Sequence, residues 1–344
     1  MTNAIDLSSP LAVGNVSLSN RVFLAPMSGI TDSVFRGLAD THGAGLVVSE
    51  MVASGELARG RADSERRIRR PDIGVHMVQL AGREAAHMAE AARIVVDGGA
   101  DIVDINMGCP AKKVTGGYCG SALMRDPDHA LSLIEAVVSA VGVPVTLKMR
   151  LGWDETALNA PFIARRAEEA GVRMITIHGR TRCQFYKGNA DWRAIARVKQ
   201  AVSVPVVANG DIGDMASAGT ALELSGADAV MVGRAHYGAP WTAGEIASMA
   251  GGIDAIGVPE TVEAMSDYVV AHYEAMLALY GVEGGVRVAR KHLGWYFDRF
   301  ADTCAQELRR IALTATEPQE VISAIRSAIV RVPAMGLSPV RDAA

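Results

Sequence analysis

Short apolar runs alternate with helix-like stretches over the first 250 residues of the chain. Eight such runs stand out, and most of them are rich in Val, Ile or Leu, which is typical of strands buried on both faces of a parallel sheet. The predicted strands are Val22–Ala25, Gly45–Val48, Gly74–Val78, Ile102–Ile105, Val143–Leu147, Met174–Ile177, Val204–Ala208 and Ala227–Val232. Helical spacing of apolar residues predicts helices at Glu84–Asp97, Ala130–Val141, Ala160–Ala170 and Ala216–Leu224.

Successive strands begin about one β/α unit apart, which favours a closed ring of eight such units. We therefore predict an α/β fold in which residues 1–250 form a (β/α)8 TIM barrel; a doubly wound open sheet is the alternative. After Gly251 only helical spacing continues. The predicted helices there are Glu260–Tyr280, Gly285–Phe300, Asp302–Leu313 and Pro318–Val330. Residues 251–335 are thus predicted to be a smaller all-α domain, with an irregular tail at 336–344.

The composition excludes several classes of protein. Of the 344 residues, 49% are apolar and only 5% aromatic, which suits helices packed on buried parallel strands. The net charge of −4 gives no overall basic excess, so any contact with nucleic acid must come from local patches. No apolar run has the length of a membrane span, and the N-terminus lacks the pattern of a signal peptide. We expect a soluble, cytoplasmic, monomeric protein with reduced thiols and no metal site.

Polar or glycine residues follow every predicted strand. In a β/α barrel the active site lies at the carboxyl ends of the strands, so these residues should form one rim. In chain order they include Pro26, Met27, Ser28, Glu50, Gln79, Asn106, Cys109, Lys148, Arg150, His178, Arg180, Asn209, Gly210, Asp211, Gly233 and Arg234. One polar residue after one strand is an ordinary turn former, whereas Lys, His, Gln and Cys together indicate a catalytic rim.

Glycines after the last two strands point to a phosphate site. Gly210 and Gly233 would let backbone N–H groups approach phosphate oxygens, and Arg234 could add a charge-assisted contact. Ordinary glycine turns are the alternative. No GxGxxG motif follows a strand, so a mononucleotide such as FMN is favoured over a Rossmann-bound dinucleotide.

Three further rim residues have side chains suited to a flavin. Lys148 is costly to bury unless it meets an anion, and a reduced flavin is anionic around N1. Schiff-base catalysis is the alternative for this lysine. Gln79 can donate and accept at the edge of the ring. His178 could contact flavin or substrate, or it could be a core histidine.

Cys109 lies in a Gly-Cys-Pro turn directly after the fourth strand. A thiol there is placed to react, and a thiol is mostly protonated at neutral pH, as a general acid must be. A nucleophilic role would instead require the thiolate. Cys119 lies in the same glycine-rich loop, where a regulatory disulfide is an alternative, and Cys183 and Cys304 are interpreted as bystanders.

Several motifs occur in the order found in the tRNA-dihydrouridine synthases. The segments are Ala25–Gly29 with Thr31-Asp32, Asp104–Val114, Lys148–Arg150, Ile177–Arg182, Asn209–Ile212, Val232–Arg234 and Arg290–Tyr296. The segment Asp104–Val114, with Cys109, resembles the catalytic loop of the bacterial B-type branch of this family. Ser28 and Cys119 stand where members usually carry alanine.

The resemblance implies a barrel that holds FMN and a helical domain that helps to hold tRNA. It assigns to FMN the residues Pro26, Met27, Ser28, Gln79, Lys148, Asn209, Gly210, Asp211, Gly233 and Arg234, and it assigns Cys109 as proton donor. NADPH would visit transiently to reduce FMN. Reduced FMN would then pass hydride to C6 of uracil, and Cys109 would protonate C5. Asn106 and Arg180 are expected to hold the base or a nearby phosphate.

Two basic segments are candidates for contact with RNA. Residues 59–70 contain six arginines against two acids and follow the second strand, so we expect them on the catalytic face. Residues 260–283 contain five acids and no Lys or Arg, whereas residues 287–331 contain eight basic residues against five acids. This asymmetry predicts a basic helical face, with Arg290, Lys291 and His292 as candidates. A solvated charged helix is the alternative for the first segment.

Three rival functions remain open at this point. A flavin barrel enzyme acting on a small molecule would share the FMN residues without needing the helical domain. A non-catalytic RNA-binding protein would need neither flavin nor Cys109. A Schiff-base aldolase would use Lys148.

Overall fold

The computed structural model describes residues 6–252 and 256–332. Its strands are β1 (Leu11–Val13), β2 (Val16–Leu18), β3 (Val22–Leu24), β4 (Leu46–Val48), β5 (Val52–Ala53), β6 (His76–Ala81), β7 (Ile102–Met107), β8 (Val145–Arg150), β9 (Met174–His178), β10 (Val206–Asn209) and β11 (Ala229–Val232). β3, β4 and β6 to β11 are parallel neighbours, and β4 pairs with both β3 and β6. The sheet therefore closes into the predicted eight-stranded barrel, and the open-sheet alternative is excluded.

The helices are α1 (Ser33–Thr41), α2 (Ser54–Leu57), α3 (Ala62–Ile68), α4 (Ala85–Asp97), α5 (Lys112–Thr115), α6 (Pro127–Ala140), α7 (Ala160–Glu169), α8 (Trp192–Ala201), α9 (Met215–Ser225), α10 (Thr242–Ala250), α11 (Val262–Tyr280), α12 (Val282–Phe300), α13 (Gln306–Thr314) and α14 (Pro318–Ala328). Two 3-10 turns lie at Gly120–Arg125 and Arg234–His236. Side-chain caps fix several helix starts; Asp32, for example, accepts the N–H of Phe35 at the start of α1.

The amino-terminal end of the barrel is closed by a hairpin. β1 and β2 pair antiparallel, and their Leu11, Val13 and Leu18 pack with inward-facing residues at the starts of the barrel strands, such as Ile102 and Met174. Each such buried side chain contributes about 1.5–3 kcal/mol of hydrophobic stabilisation. The hairpin therefore leaves the carboxyl ends of the strands as the open mouth of the barrel.

The C-terminal helices form a second core around residues such as Met265, Tyr273 and Ile325. Ala239 and Trp241, which follow β11, also belong to this core, whereas α10 packs on the barrel. The two cores thus interlock around residue 240, close to the predicted boundary at 250. The predicted irregular tail, residues 336–344, lies outside the described residues.

Buried histidines and aromatic rings join the helical domain to α1 of the barrel. The Phe35 ring lies 5.6 Å from that of His292, and the rings of His272 and His292 are 5.2 Å apart. His272 Nδ1 is 2.9 Å from the Tyr296 hydroxyl. Burial lowers the pKa of His272 to about 3 and that of His236, which also contacts Phe35, to about 3. The junction is therefore built from neutral histidines.

Candidate active site

A buried chain of hydrogen bonds crosses three neighbouring strands at the mouth. Gln79 Nε2 donates to Asp104 Oδ2 at 2.7 Å, and Asn106 Nδ2 donates to Gln79 Oε1 at 2.7 Å. Thr146 Oγ1 donates to Asp104 Oδ1 at 2.6 Å. Burial raises the pKa of Asp104 to about 6, although the bonds from Thr146 and Gln79 favour the carboxylate. Gln79 keeps one donor and one acceptor position beyond this chain, and it fixes the orientation of Asn106.

Asn106 in turn holds the turn that carries Cys109. Its Oδ1 accepts the backbone N–H groups of Gly108 at 3.2 Å and Cys109 at 3.1 Å. The Cys109 carbonyl accepts from Ser121 N at 3.1 Å and from Ser121 Oγ at 2.8 Å. A side chain at Gly120, which has φ +59°, would lie 3.3 Å from Cys109 Cβ. The half-buried thiol is therefore positioned from both sides at the end of β7.

Sequence reasoning missed Ser121 and Gly120 as supports of Cys109. Both lie in the Gly-Ser-Ala-Leu stretch that follows Cys119, and only the folded loop brings them beside the Cys109 turn. All four cysteines are free thiols, and burial raises the pKa of Cys119. Cys183 and Cys304 are exposed.

Lys148 spans the mouth from β8 to β10. Its Nζ donates to Asn209 Oδ1 at 3.0 Å, and Asn209 Nδ2 donates to the Met231 carbonyl at 2.8 Å. Burial lowers the pKa of Lys148 to about 8, with a further contribution from Arg150, while Asp104 and Cys109 act in the opposite direction. The side chain keeps intermediate exposure at the mouth. Lys148 is thus mostly cationic at neutral pH.

His178, at the end of β9, lies among cations. Burial lowers its pKa well below the ordinary value, and Arg150, Lys148, Arg180 and Arg234 lower it further. Arg180 Nη1 lies 3.3 Å from His178 Nε2. Because an arginine can only donate, Nε2 is the acceptor and the ring hydrogen is on Nδ1. His178 is therefore a neutral ring surrounded by positively charged side chains. These surroundings suit an anionic ligand.

Arg180 is buried and is bound within the protein. It pairs with Asp211 through two bonds, Nη1 to Oδ1 at 2.9 Å and Nη2 to Oδ2 at 2.6 Å. It also donates to the carbonyls of Lys187 and Gly188. Asp211, at φ +55°, additionally accepts the N–H of Ala190 at 2.7 Å. This geometry does not favour the substrate contact that we expected of Arg180; it positions Asp211 and the neighbouring loops.

Two glycines give the mouth its shape. Gly210 has φ +113°, and a Cβ there would lie 2.9 Å from both His178 Cδ2 and Ala190 Cβ. A Cβ on Gly233 would lie 4.0 Å from Met27 Sδ, so the ends of β3 and β11 meet there. Only glycine fits at Gly210, because any side chain would meet the histidine ring.

The turn after β3 is fixed from within. Met27 N donates to Thr31 Oγ1 at 3.0 Å, and Thr31 N donates to the Met27 carbonyl at 3.0 Å. Within this turn Pro26 is half-buried and Ser28 is exposed. Arg234 lies across the mouth, with Nη2 3.4 Å from Asp211 Oδ1.

These surroundings fit a planar ring that carries a phosphate. The open backbone at Gly233 and the tight turn at Gly210 lie near the cations Lys148 and Arg234. The amides of Gln79 and Asn106 lie across the barrel, on β6 and β7. Within residues 6–252 and 256–332, no three His, Cys, Asp or Glu side chains are grouped so as to hold a metal ion.

Lys291 reaches the barrel from the helical domain. A Cβ on Gly29 would lie 3.0 Å from Lys291 Nζ, and the N–H of Gly29 donates to Glu50 Oε1. Burial lowers the pKa of Lys291, whereas Glu50 and Asp32 act to raise it. Arg290 Nη2 instead lies 3.3 Å from the Thr314 carbonyl, within its own domain. His292 is buried.

The predicted arginine cluster does not lie wholly on the catalytic face. Arg70 Nη1 donates to Gly99 O at 2.6 Å and to Asp101 Oδ2 at 2.9 Å, both just before β7. The prediction is wrong for this residue, because the residues just before β7 lie at the amino-terminal end of the barrel. The end of α3 lies there too, since the Ile68 carbonyl is 2.9 Å from His76 Nε2 at the start of β6. Arg67 pairs with Asp63 at 2.9 Å. The cluster is therefore dispersed and partly neutralised.

The basic face predicted for the helical domain is also largely neutralised. Its arginines pair with acids of the same domain: Arg287 with Glu283, Arg309 with Asp298, Arg310 with Glu307 and Arg326 with Asp267. Exposed pairs of this kind contribute little stability, but they lower the net positive charge of the surface.

Comparison with known proteins agrees with this fold. The family model described as "Dihydrouridine synthase (Dus)" matches residues 23–332. A "Probable tRNA-dihydrouridine synthase" of Rhizobium leguminosarum bv. phaseoli is 56% identical over 314 residues, covering 91% of this chain and 96% of the relative. One of Rhodobacter capsulatus with the same name is 59% identical over 324 residues, covering 92% and 97%.

A "tRNA-dihydrouridine synthase B" of Xanthomonas axonopodis pv. citri is 48% identical over 289 residues, covering 83% of this chain and 86% of the relative. Among solved structures, morphinone reductase superposes with a TM-score of 0.54 at 15% identity, covering 76% of this chain and 93% of that chain, a likeness of fold alone. No helix in the described part of the chain is long and apolar enough to cross a membrane. This chain belongs to the dihydrouridine synthase family and is a flavin-dependent oxidoreductase.

Proposed function

We propose that the protein reduces the C5–C6 double bond of uridine in tRNA to 5,6-dihydrouridine, with FMN as bound cofactor and NADPH as transient hydride donor. The observation that carries the proposal is the position of Cys109. Its turn is held by Asn106 at the end of β7, at the same mouth as the Lys148–Asn209 pair. The names of the relatives support tRNA as the substrate.

When bound, the flavin supplies the hydride that adds to C6 of the uracil ring. The residues that would hold it are Pro26, Met27, Ser28, Gln79, Lys148, His178, Asn209, Gly210, Asp211, Gly233 and Arg234. In this assignment Gly233 leaves room for the cofactor, and Gly210 lets the backbone turn past His178. Arg234 binds the phosphate of the cofactor, and the Lys148 ammonium stabilises negative charge on its ring.

Cys109 would donate the proton. Addition of hydride at C6 leaves an electron pair at C5, conjugated with the C4 carbonyl, and the thiol protonates that carbon. Burial lowers the pKa of both Lys148 and Arg150, and a charge on Cys109 acts to raise both, so the thiolate left behind lies near two cations that stabilise it until solvent restores its proton. The N–H groups of Gly108 and Cys109 donate to the side chain of Asn106, and these bonds fix the position of the thiol at the mouth.

The uridine would have to leave its stack to enter the barrel. Asn106 has one amide hydrogen beyond its bond to Gln79, and we assign it to the uracil. Lys291 lies beside Gly29, where the helical domain meets the mouth, and we assign it to the RNA backbone. Arg180 acts indirectly by holding Asp211. Arg290, the cytoplasmic location and the monomeric state stay predictions.

The test uses the purified holoenzyme, NADPH and an unmodified tRNA transcript, with mass spectrometry of the product. Wild type should add two mass units to a uridine, and Cys109→Ala should slow this step by about 10²–10⁴-fold while NADPH still bleaches the bound flavin. The exposed Cys183→Ala is the matched control and should behave as wild type. Full uridine reduction by Cys109→Ala would refute the proton assignment, and equal turnover of free uridine would favour a small-molecule enzyme.

A further inference from the structure

Arg182, in the loop after β9, has a cationic side chain without a carboxylate partner. Its Cζ lies 4.7 Å from the ring centre of Trp153 and 4.7 Å from that of Phe185. Among residues 6–252 and 256–332, no Asp or Glu oxygen lies within 4.0 Å of its guanidinium, and its buried Nε has no hydrogen-bond partner. A half-buried guanidinium in this state is costly unless an anion meets it.

Two other arginines that lie over aromatic rings have strong hydrogen-bond partners. Arg166 lies over Phe162 and pairs with Asp128 at 2.6 Å. Arg150 lies over Tyr186 and donates to three backbone carbonyls. Within the described part of the chain, the guanidinium of Arg182 has a single hydrogen-bond contact, a long one of 3.5 Å from Nη2 to Thr115 Oγ1. The rings of Trp153 and Phe185 therefore hold the Arg182 guanidinium in place. Its remaining N–H groups are left for a ligand from outside the protein.

The position of Arg182 is next to the catalytic loop. Thr115 ends α5, which begins three residues after Cys109. Arg125 lies over the same Trp153 ring, with Cζ 4.9 Å from its centre, so two guanidiniums share one indole. Asp154 lies near this group: its hydrogen bonds from Thr156 lower its pKa, and Arg125 lowers it further. The group Trp153, Arg125 and Arg182 is thus a positively charged aromatic cluster beside the mouth.

Tyr118, in the same loop, exposes its ring to solvent. It is 67% exposed and has φ +58°, a backbone conformation that is strained for a bulky residue. Gly117 precedes it, and Gly120, two residues on, contacts Cys109. Glycine would satisfy the backbone better than tyrosine, and the ring adds little to the core. Contact of the exposed ring with a binding partner would explain why tyrosine stands at this position.

We propose that Tyr118 and the Trp153–Arg125–Arg182 cluster bind the unpaired nucleotide that adjoins the target uridine, with Arg182 on its phosphate and Tyr118 stacked on its base. A uridine that enters the barrel leaves its neighbour without a stacking partner, and an exposed tyrosine replaces it. A guanidinium fork matches a phosphate. The proposal rests on the proposed function, since it requires an RNA substrate.

The first test measures the salt dependence of tRNA binding to the holoenzyme. Arg182→Met should lower the slope of log Kd against log salt by about 0.7, the value for one single-strand phosphate, and Arg182→Lys should keep most of it. Arg166→Met, which removes another arginine from an aromatic ring, is the matched control and should keep the wild-type slope. Flavin content and thermal unfolding show whether Arg182→Met folds. If it does not fold, the KM of Arg182→Lys for tRNA is the measurement that tests the proposal.

The second test separates the ring of Tyr118 from its backbone. Tyr118→Gly keeps the left-handed backbone without strain and should raise KM for tRNA about tenfold, with unchanged flavin reduction by NADPH. Tyr118→Phe keeps the ring and should behave as wild type.

Three outcomes would overturn the proposal: an unchanged salt slope in Arg182→Met, equal tRNA binding by the two Tyr118 variants, or a raised KM for NADPH alone in Arg182→Met. The last outcome would assign the cluster to the hydride donor. If wild type forms no dihydrouridine in any tRNA, the proposed function fails instead, and binding of unmodified tRNA still tests the surface.

Discussion

The side chain of Asn106 accepts a hydrogen bond from the backbone N–H of Cys109 at 3.1 Å, so the Asn106 amide fixes the position of the thiol at the mouth. Asn106→Ala removes this anchor and leaves Gln79 Oε1 without its donor. Because small displacements of a reacting group are costly, we expect kcat for uridine reduction to fall about 10²-fold. Flavin reduction by NADPH should persist. Asn189→Ala, at an exposed loop position, is the control; equal loss in both variants would contradict the role of Asn106.

The pKa of Lys148, lowered to about 8, gives a pH dependence with a definite sign. The cationic form is the one that stabilises negative charge on a flavin, and it is lost as pH rises through 8. The rate of flavin reduction by NADPH, a step that does not use the Cys109 proton, should therefore fall above pH 8.

Lys148→Arg tests this assignment, because its guanidinium stays charged throughout the range. Stopped-flow reduction of the bound flavin between pH 6.5 and 9.5 should give a slower but flatter profile for the variant. The same decline in both proteins would mean that another group controls the step.

The substitution Gly210→Ala should lower both the stability of the protein and its binding of flavin. Its φ of +113° and a Cβ 2.9 Å from His178 leave no room for a methyl group. We expect a loss of about 1–3 kcal/mol in the free energy of unfolding and a lower flavin content. Gly219→Ala, in α9 with nothing within 4 Å of its Cβ, should instead stabilise the protein by about 0.5–1 kcal/mol. Urea unfolding and flavin absorbance of the two variants check the contrast.

The buried histidines predict a loss of stability in acid. The pKa values of His272 and His236, about 3 in the folded state, lie below the unfolded value of about 6.5, so the contribution of these two histidines is complete above pH 6.5. Between pH 6.5 and 3 only the unfolded chain takes up these protons, and each histidine costs about 1.4 kcal/mol per pH unit. Asp104, with a pKa raised to about 6, acts in the opposite direction below that pH.

His272→Gln isolates one of these contributions. The free energy of unfolding in urea, measured from pH 7 to pH 4.5, should depend less on pH in the variant by about 1.4 kcal/mol per unit. Identical slopes would show that His272 is protonated, or solvated, in the folded protein.

The sequence predicted the barrel, since eight buried strands at β/α spacing leave few other closed arrangements. It also predicted which side chains follow the strands, because strand ends are local features of the chain. Cys109, Lys148, His178 and Asn209 all lie at the mouth for this reason.

Only the tertiary structure decided which of these groups face the mouth and which are bound within the protein. Arg180 lies just beyond β9, and Lys148 lies near the end of β8, yet Arg180 is buried on Asp211. Arg70 belongs to an arginine-rich segment that follows the second strand, yet it contacts Asp101 at the amino-terminal end of the barrel. The unpartnered Arg182 depends on Trp153 and Phe185 meeting around it. Composition and spacing act along the chain, whereas charge pairing depends on distances between segments far apart in sequence, and these distances exist only after folding.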